Sequence, residues 1–423
     1  MSQEINKAEK QDLSLVVQAI GTDLEHTQVR VVASANADML FHYWKVGHFI
    51  LYLQKKEGWG SKVIDNLSKA IRSKYPDKKG YSRRNIFYMC QFASAYPLEV
   101  LKEMDRIDSL LTTPTVEKVL SLTNELNQIV QQPVALIQAT ENQSNTIMQQ
   151  PVAQLEEVTE ILSTIYHCDI SQIEEIFKQS AIVRTNWASH VILLNSKLPL
   201  GECYWYITQA VANGWSRNVL QMQIESNLFA RQITTKKVSN FSVRLPKPQS
   251  DLANYLMKDP YIFDLMGQTD KMAERDIERQ LVSHITKYLL EMGCGFAFVA
   301  QQKHFEVGDS DFYADLILYN IQLHAYVVIE LKATPFKPEY MGQLYFYINV
   351  VDDTLRGEHD NKTIGLLLCN GGDKVVAQYA LSGYDQPIGV SDYQLSKAIP
   401  DNLKSALPTV EEVEEALSRI IDK

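Results

Sequence analysis

The chain has few cysteines, and they lie far apart: Cys90, Cys168, Cys203, Cys294 and Cys369 are all there are in 423 residues. No C-x-x-C pair or paired histidine spacing accompanies them, which speaks against a disulfide framework and a structural zinc site. Nowhere does an uncharged apolar run reach the eighteen or so residues of a membrane helix. The amino terminus carries Glu4, Lys7, Glu9 and Lys10 where an export signal would have an apolar core. We therefore expect a cytoplasmic protein with reduced thiols, no export and no membrane partner.

What is present suffices for real hydrophobic cores. Hydrophobic residues make up 45% and charged ones 22%, and the length suits two or three domains. The net charge of -10 is unevenly spread. From Lys45 to Arg84 eleven basic residues face three acidic ones, a local charge of +8. Such asymmetry hints at a polyanion partner.

The first third has helical periodicity. Val31 to Lys55 and Ser61 to Tyr75 space their apolar residues accordingly, and Pro76 with Gly80 breaks the chain. Ser82 then caps a third helix that starts Arg83-Arg84-Asn85 and runs toward Tyr96-Pro97. Arginines in a first turn oppose the helix dipole, and a phosphate nearby would relieve that; solvated arginines with stems packed on aromatics are the other account. Trp215-Ser216-Arg217-Asn218 has the same form.

Residues 110–183 are Gln-, Asn-, Thr- and Glu-rich, and Gln131-Gln132-Pro133-Val134-Ala135 returns as Gln149-Gln150-Pro151-Val152-Ala153. We expect an inserted arm, helical from Ala153 to Ile165, without a tight core of its own. It is a candidate for homo-oligomer formation. Helical patterning resumes at Trp187 to Asn195 and Glu202 to Ala212.

Beyond Leu245-Pro246-Lys247-Pro248 the pattern becomes mixed. It predicts a helix over Lys271 to Met292, strands over Phe296–Gln301, Phe312–Asn320 and Ala325–Ala333, a helix from Pro338 to Leu355, and a buried strand over Ile364–Cys369. That order is an α/β sandwich with a mixed sheet.

Two acids stand in these strands where apolar residues belong: Asp315 in Phe312–Tyr319, and Glu330, with Lys332, in Tyr326–Lys332. Charges on a core strand are costly unless paired or metal-bound. Alternation puts Glu330 and Lys332 on one face. If the connection is a hairpin with an even number of loop residues, Asp315 joins that face. Two carboxylates and an ammonium would then meet, a set that suits Mg2+ or Mn2+ and a lysine acting on water. An Asp-Lys-Glu salt network on a wet sheet face is the competing account.

Asp315 followed by Ile329-Glu330-Leu331-Lys332 resembles the PD-(D/E)XK nuclease signature. The longer phrase through Phe336-Lys337-Pro338-Glu339-Tyr340-Met341-Gly342-Gln343, then Asn349–Asp353 and Pro387–Val390, resembles the carboxy-terminal domain of the YhcG-type family of bacterial nuclease-domain proteins. Trp59-Gly60, Ser82–Asn85, Trp187–Leu194 and Trp215-Ser216-Arg217 resemble that family's helical domain. Ala314 stands where the motif has its proline, and the Gln-rich stretch lies outside the resemblance.

The resemblance implies a multidomain chain: an all-α, helix-turn-helix-like amino-terminal domain followed by an α/β PD-(D/E)XK, restriction-endonuclease-like domain with a mixed sheet. The expected parts are a helical region at 1–109 that would bind DNA, the arm at 110–183, a helical continuation at 184–245 and the nuclease domain at 250–423. It implies a metal-dependent DNA endonuclease of recombination or defence, with Asp315, Glu330 and Glu278 as metal ligands, Lys332 acting on water and Gln343 supporting the site. Lys78, Lys79, Arg83, Arg84 and Arg217 are the candidate nucleic-acid contacts. The alternative is a non-cleaving nucleic-acid-binding or assembly protein that uses the nuclease fold as a scaffold.

Overall fold

The computed structural model describes residues 31, 33–53, 62–77, 79–110, 114–140, 158–264, 277, 285–293 and 295–396. The chain divides into two compact units, residues 1–109 with 125–207 and residues 110–124 with 208–423. Residues 184–207 of the expected helical continuation thus lie in the first unit and 208–245 in the second. No helix among the described residues is long and apolar enough to cross a membrane.

From residue 33 to 212 the described elements are helical. They are α1 (33–53), α2 (Lys62–Lys74), α3 (Arg83–Ala95), α4 (Leu98–Leu110), α5 (Val116–Thr140), α6 (Val158–Tyr166), α7 (Ile170–Gln179), α8 (Trp187–Ser196) and α9 (Leu200–Ala212). The α2–turn–α3 order is the one read from Pro76, Gly80 and the Ser82 cap, whose hydroxyl accepts from the Asn85 amide. The core of the first unit is aromatic. Phe177 lies 5.1 Å from Phe41 and 5.5 Å from Trp44, ring to ring, and Tyr166 stacks on Trp44 at 5.8 Å. Trp44 satisfies its indole N–H on the Tyr96 carbonyl at 2.7 Å.

Of the expected arm, residues 158–183 pack into this core. The polar composition hides Ile161, Leu162, Ile173 and Phe177, all buried, on the inner faces of α6 and α7. The repeat at 149–153 lies outside the described residues. Gly47 lets α1 approach α3 closely: a Cβ there would lie 2.1 Å from the Met89 carbonyl oxygen.

The second unit carries the sheet: β1 (Val238–Ser239), β2 (Tyr261–Asp264), β3 (Phe296–Val307), β4 (Ser310–Asn320), β5 (Ala325–Lys332), β6 (Ile364–Cys369) and β7 (Ile388–Ser396). Its helices include α10 (Arg217–Glu225), α11 (Phe241–Arg244), α12 (Gln249–Leu256), α13 (Ile285–Met292), α14 (Tyr340–Thr354) and α15 (Lys374–Leu381). The strand order is β1-β7-β6-β5-β4-β3, with β2 on β7. β3, β4 and β5 form an antiparallel meander, and β5, β6 and β7 run parallel, which makes the sheet mixed. The expected helix Lys271 to Met292 is described at Ile277 and over α13; the remainder lies outside the described residues.

The apolar run Ile364–Cys369 is indeed a central strand, buried at every position. Periodicity predicts none of β1, β2, β7 or α15. β1 and β2 are too short to show an alternation, and the alternation of β7 changes phase between Ser391 and Asp392. α14 lies across β5 and β6 through Leu344, Tyr347, Ile348 and Val351, against Val328 and Leu367. Gly365 permits the contact, since a Cβ there would stand 2.5 Å from the Ile348 Cδ1.

Candidate active site

The β4–β5 pairing decides whether the acids meet. Leu316 pairs with Ile329 and Ile317 with Val328, so opposed positions sum to an odd number, as an even hairpin loop requires. Alternation from Ile317 and Val328 puts Asp315 and Glu330 on one face, and Lys332 two residues on shares it. The ladder ends at Leu316–Ile329, and two residues further along β5 the amide of Leu331 donates to Asp315 Oδ2 at 3.0 Å. This bond ties Asp315 to the strand that carries the other two residues.

All three side chains are buried; Glu330 is 0% exposed, and Asp315 and Lys332 8%. Lys332 Nζ donates to Glu330 Oε1 at 2.9 Å and lies 5.6 Å from the centre of the Tyr340 ring. Tyr340 and Gln343 are both in the first turn of α14, the helix held down on β6 by the apolar contacts above. Gln343 itself is exposed. It reaches the site through Tyr347 one turn on. The Tyr347 phenol is raised above its ordinary pKa first by burial, while a hydrogen bond with the Gln343 side chain opposes the rise. The negative charges of Glu330 and Asp315 add to the rise, which puts Tyr347 within the field of both carboxylates.

Two buried carboxylates beside one ammonium suit a hard divalent cation. Mg2+ takes one or two protein carboxylates and keeps several waters, so a third protein acid is not required. Among the described residues no three of His, Cys, Asp and Glu converge on a metal position. Glu278, the expected third acid, lies outside the described residues.

Gln302 is a site residue that sequence reasoning missed. It lies in β3 and donates from Nε2 to Asp315 Oδ1 at 3.1 Å. Nothing in its neighbourhood, Ala300-Gln301-Gln302-Lys303, distinguishes it from its neighbour Gln301; only the strand register singles it out.

The candidate nucleic-acid contacts divide. Arg83 and Arg84 open α3, and both are exposed, as is Lys79 in the preceding turn. Arg83 Nε pairs with Asp65 of α2 at 3.0 Å. Arg84 lies over the Tyr88 ring and donates to its hydroxyl at 3.2 Å, the stem-on-aromatic packing that was one of the two accounts. Arg217 opens α10 behind the Ser216 cap and is exposed, but it belongs to the second unit. Lys78 lies outside the described residues.

Two family models match parts of the chain. Residues 254–408 match the family model of the YhcG PDDEXK nuclease domain, and residues 19–122 match that of the DUF1016 N-terminal domain. The protein named "Putative nuclease YhcG" from Escherichia coli (strain K12) is 27% identical over 203 residues, which is 48% of this chain and 54% of that protein. The match thus spans about half the length of the curated relative. No solved structure matches the chain.

Proposed function

With the chain a member of the YhcG-type family, a helical amino-terminal region followed by a PD-(D/E)XK nuclease domain, we propose that it is a metal-dependent endonuclease that hydrolyses phosphodiester bonds of DNA. The observation that carries this proposal is the gathering of Asp315, Glu330 and Lys332 on one buried face of β4 and β5.

Asp315 and Glu330 would hold Mg2+, or Mn2+ in its place, with Glu278 as a further ligand. When bound, such an ion neutralises charge on the phosphate and favours water as a nucleophile at neutral pH. Lys332, as an ammonium, orients the attacking water by hydrogen bonding; as the new P–O bond forms and the ester P–O bond breaks, the attacking water gives up its proton to a second water of the site and the leaving oxygen takes one up. Gln343 supports the site through Tyr347. The buried setting excludes bulk water, so each of these polar groups acts at greater strength than it would in solvent.

The helical unit would hold the DNA. Arg83, Arg84, Lys78 and Lys79 lie where the local charge is most positive, and Arg217 offers a further contact from the second unit. Cytoplasmic location and a role in recombination or defence fit this activity. Self-association through residues 110–183 is the corresponding proposal for assembly, and mass measurement of the full chain in solution over a range of concentrations tests it.

The test is cleavage of plasmid DNA by purified protein in Mg2+, in Mn2+ and in EDTA. Parent protein should cut in the first two only, and Asp315→Ala and Lys332→Ala should not cut. Variants that cut as well as the parent end the proposal. DNA affinity that falls steeply with salt, with no cleavage under either ion, favours the non-cleaving, nucleic-acid-binding alternative instead.

A further inference from the structure

β3 carries two irregularities that both act on one side chain. Phe298 pairs with Leu318, but the register shifts at the next step, so that Ala300 pairs with Ile317. Carried on without that bulge, the pairing of Phe298 would put Gln302 opposite Ala314 and Gln301 opposite Asp315. With it, Gln301 pairs with Leu316 and Lys303 with Ala314, which leaves Gln302 facing Asp315. An extra residue in one strand re-aims every side chain beyond it.

The second irregularity is the backbone of Gln302 itself, at φ 46°. Left-handed backbone is natural for glycine and tolerable for asparagine, and it is strained for a residue with a long side chain. A strained backbone persists where its surroundings over-determine it. Here the long side chain spans to Asp315 and donates to Oδ1, while the Leu331 amide donates to Oδ2. A carboxylate can only accept, so the amide nitrogen of Gln302 is the atom that faces it. One donor from each neighbouring strand thus fixes the plane of the Asp315 carboxylate.

We propose that Gln302 is a positioning residue of the metal site, setting the orientation in which Asp315 meets a divalent ion. The proposal rests on the reading of Asp315 as a metal ligand. Groups that hydrogen-bond a ligating carboxylate pre-orient it, and their loss typically costs about 10- to 100-fold in metal affinity or activity.

The experiment measures Mn2+ binding by calorimetry, in the absence of DNA, for the full chain and for Gln302→Gly, Gln302→Met and Asp315→Ala. Gln302→Gly keeps the left-handed backbone without strain, and Gln302→Met keeps the bulk without the donor. The expected result is about 10- to 100-fold weaker Mn2+ binding in both Gln302 variants. Gln302→Gly should also unfold at a temperature no lower than the parent, which separates lost positioning from lost fold. In cleavage, both variants should need a correspondingly higher Mg2+ concentration for half-maximal rate.

Gln302 variants that bind Mn2+ within about twofold of the parent, while Asp315→Ala does not bind, overturn the proposal. A parent that takes up no Mn2+ through Asp315 overturns it together with the metal-site reading. Asp315-dependent Mn2+ binding that weakens in the Gln302 variants, with no DNA cut, supports the positioning role and ends the nuclease reading alone.

Discussion

Among the described residues of the sheet-bearing unit, charge is buried at two places. At one, Arg231 donates to Glu291, to the Ser226 and Pro260 carbonyls and to the Ser226 hydroxyl. Lys258 donates to the Glu291 carbonyl, and Asp259 accepts from Lys374, the Ser391 hydroxyl and the Asp392 amide. The buried members, Arg231 and Lys258 against Glu291 and Asp259, balance in formal charge. At the other place the buried members among the described residues are Asp315, Glu330 and Lys332, a formal excess of one negative charge. Burying ions costs about the same at both places, and only a balanced, hydrogen-bonded set recovers that cost from within the chain. The balanced cluster ties Arg231, the turn at Lys258-Asp259-Pro260 and α13 to β2 and β7. On the proposed function a divalent cation would complete the unbalanced one, and that difference would separate scaffold from site.

The largest expected effect is on the unbalanced cluster. Asp315→Ala and Lys332→Ala should each lower plasmid cleavage by about 10³-fold or more while circular dichroism shows the fold retained. Unfolded variants would place both clusters in the scaffold and erase the contrast. On the balanced cluster the effect should fall on stability. Arg231→Ala leaves Glu291 buried beside Lys258 without its guanidinium and should cost about 3–5 kcal/mol in urea unfolding. The double variant Arg231→Met with Glu291→Gln should recover much of that loss, and its failure to do so would show that the pair is not the source of the cost.

Exposed charge makes a third case. Arg83→Ala and Arg84→Ala should each weaken DNA binding and reduce the slope of log affinity against log salt by about 0.9 for each phosphate no longer neutralised. An unchanged slope would assign both arginines to their partners Asp65 and Tyr88 instead.

The smallest effect is a pH dependence of the balanced cluster. Burial holds the Lys258 amine down at about 8, with Glu291 opposing the shift and Arg231 adding to it. The amine of the unfolded chain titrates near its ordinary value of about 10.4. Between these values the unfolded chain holds a proton that the folded chain has released, so stability rises with pH across the window and is lower below it. Lys258→Met should flatten that rise in unfolding measured from pH 7.5 to 10. An equal slope in parent and variant would remove Lys258 from the account.

Much of this was legible in local pattern. The Ser82 cap, the break at Pro76 and Gly80, the meander and the buried strand Ile364–Cys369 all express short-range physics: capping, fixed φ and alternation. Acids in apolar strands stood out for the same reason, since one charge among β-branched residues is visible without knowing what it touches. The buried face of residues 158–183 was masked by composition. β1, β2 and β7 gain their place from pairing with distant chain.

The sequence by itself determined that Glu330 and Lys332 share a face, because two residues along a strand always do. It determined as well that Asp315 joins them only under one parity of the β4–β5 turn. Tertiary structure alone decided that parity, the capture of the Leu331 amide by Asp315, the placing of Tyr347 within the field of both acids and the bulge that turns Gln302 toward Asp315. Each of these depends on strand register or helix docking, and register is set by contacts between segments whose neighbours in the chain carry no trace of them.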